Sequence, residues 1–171
     1  MNLKLVKLSP VYQEQLFELM DEWLALEPDI TPYAIARHDY HDFEPYLDSL
    51  EITESTGTLV PDSTFFCLDT DQNRFVGAVN IRHQLNDALL RSGGHIGDGV
   101  RPSQRRKGIA TQMIALALDE CRKLGIPRVL MVCDKSNIGS AKSIQRNGGV
   151  LENELVLEDG AVIQRYWIQL E

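Results

Sequence analysis

The chain of 171 residues has only three cysteines, Cys67, Cys121 and Cys133, and no Cys-x-x-C pair. An odd number of thiols, each within an apolar run, argues against a disulfide framework and predicts buried thiols in a reducing cytoplasm. A chain of this length buries roughly 70% of the surface that it exposes when unfolded, so a core can form without disulfide or metal staples. We therefore expect a single domain over residues 1–171.

Long apolar runs and basic residues are also scarce. Near the N-terminus Leu3 and Leu5 alternate with Lys4 and Lys7, so the unbroken apolar region of a secretory signal is missing. No segment reaches the length of a membrane span. Seventeen lysines and arginines stand against 25 acidic residues, which gives a net charge of −8. Such a surface repels nucleic acids and anionic membranes. The sequence thus predicts a cytoplasmic protein with neither partner, in which any anion binds at a local exception.

Hydrophobic periodicity and turn residues outline an α/β chain. Alternation predicts a strand over residues 3–8, and Ser9 with Pro10 opens a helix that ends near Leu26. The further predicted elements are a weaker helix at 39–50 interrupted by Pro45, a hairpin of 64–68 and 75–81, a strand at 95–100, a helix at 105–124, a strand at 129–133, a helix near 140–146, and a terminal hairpin of 152–157 and 162–170 around Asp159-Gly160. The strand–helix–strand run from 95 to 133 is a βαβ unit, whose second strand is expected inside a parallel sheet.

Glycines are concentrated in and beside the strand at 95–100, namely Gly93, Gly94, Gly97 and Gly99. A glycine inside a strand weakens it and usually marks a bulge or the close approach of another backbone or a ligand. Because Gly97 and Gly99 point to the same side, we expect one nearly bare face on this strand.

The most informative segment is V-R-P-S-Q-R-R-K-G-I-A-T, residues 100–111. A strand ends at Pro102, and a basic turn leads directly into a helix, whose start presents free N–H groups and the positive end of the helix dipole. Gly108 and Ala110 keep this turn open to close approach. We interpret the segment as a site for a phosphate-rich ligand; a solvated basic face is the alternative. Four of the 17 basic residues lie here, Arg101, Arg105, Arg106 and Lys107.

Motifs of other phosphate sites are missing, since there is neither G-x-x-x-x-G-K-[ST] nor a G-x-G-x-x-G leading into a helix. The segment instead resembles the signature of the GCN5-related N-acetyltransferases (GNAT), [Q/R]-x-x-G-x-[G/A] after a strand that ends in Val-x-Pro. It stands here as R-R-K-G-I-A, Arg105–Ala110, behind Val100 and Pro102. The order of elements also matches. The resemblance implies a GNAT-like α/β (α+β mixed-sheet) fold of about seven strands and four helices, with a cofactor-binding core at about 93–149.

The resemblance implies transfer of an acetyl group from acetyl-coenzyme A to a primary amine of a small molecule or peptide, without a metal. In the family, the signature turn binds the pyrophosphate of the cofactor through backbone N–H groups. The pantetheine arm pairs with the backbone of the strand before this turn, here Asp98 and Val100, in an opening beside strand 129–133, which also gives the bare glycine face a reason. The implied cofactor-binding residues are Asp98, Val100, Arg105, Arg106, Lys107, Gly108, Ile109, Ala110, Thr111, Asn137 and Ser140.

A second match starts at Asn137, where N-I-G-S-A-K-S-I-Q-R-N-G-G resembles the family's Asn-x-x-[Ala/Ser]-x-x-Leu-Tyr-x-Lys-x-Gly-Phe. Asn137 and Ser140 would contact the cofactor, whereas a residue that only satisfies its own helix start is the alternative for Asn137. Two departures concern the chemistry. Ile144 replaces the usual Tyr, a general acid for the departing thiolate, and Gly149 replaces the closing Phe.

The catalytic groups stay unassigned in the sequence. A carboxylate that some members carry before the signature strand falls at Gly94, so Asp98 and His95 are the nearest candidates for a general base. For His95, a bond to a neighbouring loop is the alternative. Because a neutral amine held close to the thioester can react without a dedicated base, the missing carboxylate does not exclude catalysis. A non-catalytic acyl-coenzyme A-binding or regulatory module of the same fold remains the competing interpretation.

Residues 27–54 contain eight acidic side chains and one basic, Arg37. In the family this region overhangs the acceptor site, so an acidic wall would favour a cationic amine; a solubilising surface is the alternative. The aromatic residues of the segment form either a lid over the acceptor or ordinary helix packing (Tyr33, Tyr40, Phe43 and Tyr46). His38 and His41 have a spacing that suits zinc, but no further ligand cluster closes such a site. Monomer and homodimer are both compatible with the sequence.

Overall fold

Seven strands and four α-helices make up the computed structural model, which describes residues 1–171. The strands are β1 (Leu3–Val6), β2 (Asp62–Asp69), β3 (Arg74–Arg82), β4 (Ile96–Val100), β5 (Arg128–Asp134), β6 (Val150–Val156) and β7 (Val162–Gln169). The helices are α1 (Gln13–Leu26), α2 (Phe43–Ser49), α3 (Ile109–Lys123) and α4 (Ile138–Arg146), with short 3-10 turns at Pro10–Tyr12, Tyr33–Ala36 and Pro102–Gln104 and a π-helical turn at Leu89–Gly93. The predicted α/β class with about seven strands and four helices is confirmed.

The strands form two antiparallel sheets, in the orders β1-β2-β3-β4 and β5-β7-β6. The two sheets meet where β4 and β5 begin: the backbone N–H of His95 donates to the carbonyl of Leu130 at 2.8 Å. The parallel pairing expected for the βαβ unit is therefore wrong beyond this point. It fails because the ring of His95, rather than a backbone carbonyl, accepts the N–H of Leu130, and the two strands diverge afterwards.

Two hydrophobic clusters cover the two faces of the first sheet. Cys67 faces the cluster built around α3, whereas its neighbours Phe66 and Leu68 face the cluster built around α1 and α2. This alternation is the period-two pattern of a strand that is buried on both faces. All three cysteines are buried and free, as predicted. No helix reaches the combination of length and apolarity that a membrane crossing requires.

Two helices begin later than the sequence suggested. Helix α2 starts at Phe43, so Pro45 lies in its first turn, where a missing N–H costs no intrahelical hydrogen bond and does not interrupt the helix. Helix α3 starts at Ile109 instead of residue 105, because Arg106 and Gly108 adopt left-handed conformations with φ of 63° and 78°. The second difference creates an open turn in front of α3.

The bare glycine face of β4 is covered by the chain itself. A Cβ atom added to Gly99 would lie 1.7 Å from the carbonyl oxygen of Thr31 and 2.9 Å from the ring of Trp23. The expectation that a ligand explains this face is therefore wrong. The glycines instead allow the segment around Thr31 to lie directly on the strand.

Candidate active site

The turn of residues 105–108 and the first residues of α3 form an array of backbone donors. The N–H groups of residues 106–111 donate to no acceptor in the protein, and the first helical bond of α3 runs from Gln112 to the carbonyl of Gly108 at 3.3 Å. The alternating left-handed residues turn successive N–H groups toward one side, which is the geometry of an anion-binding nest. The dipole of the 15-residue helix α3 adds positive potential at the same place. The main chain alone can therefore bind a phosphate group here.

Three of the four basic residues singled out in the sequence are bound by the protein. Arg101 is buried and pairs with Glu22 at 2.9 Å. Arg105 donates through Nε to the carbonyl of Val100 at 3.1 Å and through Nη2 to Glu27 at 2.5 Å. Lys107 donates to Gln104 at 3.2 Å. These three side chains stabilise the turn, and of the four only Arg106 remains available for an anion.

The available basic side chains come from two elements. Arg106 lines the cavity beside the turn, and Lys142 and Arg146 line it from α4. None of the three has an acidic partner within 4 Å. Lys142 and Arg146 were not predicted from the sequence, although their spacing of four residues places both on one helix face. Together they add three positive charges around the donor array.

A cavity of about 1090 Å³ starts at this turn and continues through the gap between β4 and β5. Ile96 belongs to the α3 cluster and Trp23 to the cluster on the opposite face, yet both line the cavity, which therefore passes through the sheet. Its lining includes the turn and α4 at one end, residues 96–100 and 132–134 in the middle, and Trp23, Asp29, Thr31, Arg82 and Gly93 at the other end. An elongated ligand could thus reach from one face to the other.

Strand β4 presents free backbone groups to this gap. The N–H of Arg82 donates to the carbonyl of His95, and the N–H of Arg101 donates to Val76, both at 2.7 Å. Backbone groups alternate between the two edges of a strand, so residues 97 and 99 also bond to β3 while Asp98 and Val100 present theirs to β5. Apart from the Val100 carbonyl, which Arg105 occupies, these groups can pair with an extended ligand.

His95 holds the two sheets together at the closed end of the gap. Its Nδ1 accepts the N–H of Leu130 at 2.9 Å, which leaves the ring proton on Nε2. Burial, and secondly the charge of Arg82, lowers the pKa of His95 to about 4, so the ring is neutral at physiological pH. His95 is not among the residues that line the cavity. This geometry matches the bond to a neighbouring segment that the sequence analysis weighed as the alternative to a base.

The lowered pKa of His95 predicts a loss of stability at acid pH. Between the unfolded pKa of 6.5 and the folded pKa of about 4, the unfolded chain binds more protons, so the free energy of unfolding falls as pH falls. We expect His95→Gln, whose amide oxygen can still accept from Leu130, to remove roughly 2 kcal/mol of this acid sensitivity after allowance for solvent screening. Urea unfolding from pH 4 to 7 measures it, with exposed His41→Gln as the control. Parallel pH curves for wild type and His95→Gln would contradict this assignment.

Asp98 lies in the middle of the cavity, across the gap from Val132 and Cys133. Burial raises its pKa to about 6, and no side chain donates a hydrogen bond to it. A carboxylate of this pKa is ionised at neutral pH and is a better proton acceptor than an ordinary aspartate. Burial also raises the pKa of the Cys133 thiol, which keeps that group protonated. Of the two candidates for a general base, Asp98 is the one that faces the cavity.

The start of α4 forms the wall opposite the donor array. The side-chain oxygen of Asn137 accepts the N–H of Ser140 at 3.1 Å, so Asn137 caps the helix, and both residues line the cavity. Ile144 is fully buried in the α3 cluster and does not line the cavity. The residue that aligns with the family's Tyr is therefore a core residue, and the α4 hydroxyls that face the cavity belong to Ser140 and Ser143.

The side chain of Asn147, which was not predicted from the sequence, fixes α4 against α3. Asn147 donates through Nδ2 to the carbonyl of Thr111 at 3.0 Å and to that of Ser143 at 2.9 Å. The hydroxyl of Thr111 also bonds to that of Ser143 at 3.2 Å. These bonds set the distance between the donor array and the basic face of α4.

Asn137 both caps α4 and lines the cavity, and two substitutions can separate the capping role from a role in cofactor binding. Asn137→Ala removes the cap, which costs about 1 kcal/mol of stability, whereas Asn137→Ser can still cap α4. If Asn137 also orients the acyl end of the cofactor, both variants lose turnover more than they lose affinity for acetyl-coenzyme A. Melting curves and steady-state kinetics of both variants provide the measurement. Full turnover by the serine variant would leave Asn137 with the capping role alone.

The acidic segment lies mostly away from the cavity. Only Glu27 and Asp29 of its eight acidic residues line it, and Glu27 is paired with Arg105. The expected acidic wall is therefore wrong for the other six. Tyr40, Phe43 and Tyr46 pack in the cluster around α1 and α2 and therefore form no lid over the cavity. Tyr33 is exposed and does not belong to this cluster.

The histidines of the same segment do not form a metal centre. His38 and His41 each face a single carboxylate, Asp42 at 3.6 Å and Asp39 at 2.7 Å. No group of three or more His, Cys, Asp or Glu side chains is placed to hold a metal ion.

Comparison with solved structures gives full-length likenesses of the fold. An acetyltransferase from Salmonella typhimurium that modifies the N-terminal serine of ribosomal protein L7/L12 is 15% identical, with a TM-score of 0.69, and the match covers 100% of this chain and 96% of that one. The microcin C7 self-immunity acetyltransferase MccE, solved with acetyl-CoA and AMP, is 18% identical, with a TM-score of 0.67 and coverage of 98% and 92%. A dodecameric spermidine N-acetyltransferase from Vibrio cholerae is also 18% identical, with a TM-score of 0.64 and the same coverage.

Sequence comparison decides the family. A search of curated proteins gives no match. The model of the acetyltransferase (GNAT) family, however, matches residues 13–148, which include the donor turn, β4, β5 and α4. Because this match spans well over half of the chain, the protein belongs to the GNAT family of acetyltransferases.

Proposed function

We propose that this protein transfers the acetyl group of acetyl-coenzyme A to a primary amine of a small molecule or peptide. The observation that carries the proposal is the run of N–H groups at residues 106–111, which have no acceptor in the protein and open onto a cavity through the sheet. A pyrophosphate is the part of the cofactor that such an array suits. Arg106, Lys142 and Arg146 would add charge complementarity to the remaining phosphate.

The remainder of the cavity suits the elongated arm of acetyl-coenzyme A. The free backbone groups of Asp98 and Val100 can pair with the amides of pantetheine in the way that an added strand pairs with a sheet edge. Residues 96–100 and 132–134 line the part of the cavity between β4 and β5, and residues from both faces of the sheet line the remainder. The thioester would therefore lie within the gap, and the acceptor would arrive from the end beside Trp23 and Thr31.

Acetyl-coenzyme A supplies a thioester whose carbonyl carbon the neutral amine attacks; a C–N bond forms, the C–S bond breaks, and the thiolate leaves. Holding the amine within about 3.5 Å of that carbon supplies much of the rate. We assign to Asp98 the removal of a proton from the amine, directly or through water, because it is the carboxylate on the strand that borders the gap. Among the cavity hydroxyls, those of Ser140 and Ser143 on α4 can pass a proton toward the leaving sulfur.

The competing function is a non-catalytic acyl-coenzyme A-binding module. The buried position of Ile144 favours it, because the hydroxyl that the family uses as an acid is absent from α4 at that position. Both functions require cofactor binding at the donor array, so binding alone cannot separate them.

A thiol-release assay distinguishes the two functions. The protein is given acetyl-coenzyme A and a panel of primary amines that covers amino acids, amino-acid amides, peptides, polyamines and aminoglycosides. Release of free thiol in step with acetylated amine is the result expected of the enzyme. Thermal stabilisation by acetyl-coenzyme A with no thiol release from any amine would instead support the binding module.

A further inference from the structure

The far end of the cavity contains an arginine, Arg82, that belongs neither to the donor array nor to the basic face of α4. Arg82 is the last residue of β3, and its guanidinium lies 3.3 Å from the place where a Cβ on Gly97 would be. Gly97 points to the side of β4 opposite Ile96, which packs with α3. Arg82 therefore lies across the sheet from the donor array, at the end where an acceptor would enter.

The hydrogen-bonding capacity of Arg82 is mostly unused. Its Nη1 makes only two long contacts, each of 3.4 Å, to the carbonyls of Gly93 and Gly94. Its Nε and Nη2 donate to no acceptor in the protein, although a guanidinium carries five donor hydrogens. No carboxylate lies within 4 Å of it, unlike Arg37, Arg101 and Arg105, which all form ion pairs.

The buried carboxylate whose charge acts on Arg82 is that of Asp62, and it already has other partners. Asp62 accepts from Arg37 at 2.7 Å, from the side chain of Asn80 at 3.0 Å and from the N–H of Ile52 at 2.6 Å. Because Asp62 pairs with Arg37 and lies more than 4 Å from Arg82, the positive charge of Arg82 has no counterion in contact with it. Burial lowers the pKa of Arg82, in keeping with a cation that is short of both water and an anionic partner.

The other charged side chain at this end of the cavity is the exposed carboxylate of Asp29. Asp29 has no basic partner, whereas Glu27 pairs with Arg105 of the donor turn. A ligand that meets both Arg82 and Asp29 is matched best when it carries one negative and one positive group. A dianionic phosphate would be repelled by Asp29, and a polyamine would bring only cations to Arg82.

We propose that Arg82 binds a carboxylate of the acceptor, so that the acceptor is an amino acid or a similar small amine that carries a carboxylate. This inference rests on the acetyl transfer proposed above and names its substrate class. The planar fork of the guanidinium can hold a carboxylate through two parallel hydrogen bonds. The ammonium of the same molecule meets Asp29 and loses its proton before it reaches the thioester in the gap.

The test compares matched acceptors that differ only in the carboxylate. Free amino acids and the corresponding amino-acid amides are assayed by thiol release at pH 8, where the less basic amine of the amide gives the amide an intrinsic advantage. We expect wild type to use the acid with a kcat/KM roughly 10- to 100-fold higher than that of the amide. In Arg82→Gln this ratio should fall to one or below, and Arg82→Lys should retain part of the wild-type preference.

Two controls separate this role from a structural one. Arg91→Gln removes an exposed positive charge near Gly93 that does not line the cavity, and it should retain the wild-type ratio. The melting temperature of Arg82→Gln and its affinity for acetyl-coenzyme A should stay close to wild type. A general loss of folding would lower both rates together and leave the ratio unchanged, so the ratio reports recognition of the carboxylate.

The contradicting outcomes are distinct for the two proposals. Equal use of acids and amides by wild type, or an unchanged ratio in Arg82→Gln, would overturn the role of Arg82 while acetyl transfer stands. Thiol release with polyamines alone would do the same. If no amine of any class releases thiol, the proposed function fails and the inference fails with it. If Arg82→Gln does not fold, the wild-type ratio and Arg82→Lys still decide.

Discussion

Gly108→Glu is expected to remove the stabilisation by acetyl-coenzyme A almost completely while the protein still folds. At a cofactor concentration near 100 Kd, wild type should gain about 2.7 kcal/mol, and the variant almost nothing. The side chain has room, since a Cβ at this position meets no atom within 4 Å, but it places a carboxylate beside the N–H groups that await an anion. Its φ of +78° adds a strain of about 1–2 kcal/mol for any residue with a side chain.

The control for this experiment is Gly108→Asn. Asparagine tolerates the left-handed conformation better than most residues and brings no charge, so it reproduces most of the strain without the repulsion. We expect Gly108→Asn to keep most of the cofactor-induced melting shift. If the glutamate variant shows the same shift as wild type, the donor array is not the site of the pyrophosphate.

Gly99→Ala is expected to give the largest loss of stability among single-methyl additions on β4, about 3 kcal/mol. The new Cβ would lie 1.7 Å from the carbonyl oxygen of Thr31, which is backbone and cannot rotate away. Overpacking of this kind typically costs 1–3 kcal/mol and more where backbone must shift. The segment at Thr31 also borders the acceptor end of the cavity, so its displacement should raise the acceptor KM as well.

A matched control lies two residues away on the same face. A Cβ at Gly97 would meet the flexible end of Arg82 at 3.3 Å and Pro32 at 3.5 Å, so Gly97→Ala should cost less than about 1 kcal/mol. Urea unfolding of both variants gives the comparison. Equal stabilities for the two alanine variants would show that the segment at Thr31 does not press on the strand as described.

The donor array could be predicted from the sequence because its determinants are local. A strand end, Gly108 and the start of a long apolar helix follow one another within ten residues, and each is legible without tertiary contacts. The sequence does not show, however, which of the neighbouring basic side chains are free to bind an anion. Arg101, Arg105 and Arg106 look alike in the sequence, yet two of them are bound by Glu22 and Glu27 of the α1 region, almost 80 residues earlier in the chain.

The acceptor end could not be predicted for the same reason. It is assembled from the end of β3, the segment around Thr31 and the start of β4, and none of these has a sequence pattern that indicates a binding role. The net charge of residues 27–54 predicts an acidic wall at the acceptor site, but six of the eight acidic side chains do not line the cavity. Arg82 could not be identified from the sequence, because its role depends on the lack of a carboxylate partner, which only a three-dimensional structure shows.

The central claim is that acetyl-coenzyme A binds at residues 106–111 and extends along β4 into the gap between the sheets. The most direct measurement is a titration of isotope-labelled protein with acetyl-coenzyme A, followed through the backbone amide resonances. The account predicts that the amides of residues 106–111 shift most, with those of Asp98, Val100 and the start of α4 next, and that desulfo-coenzyme A reproduces the pattern at the turn. Saturating cofactor that leaves the amides of residues 106–111 unmoved, or shifts a different surface, would contradict it.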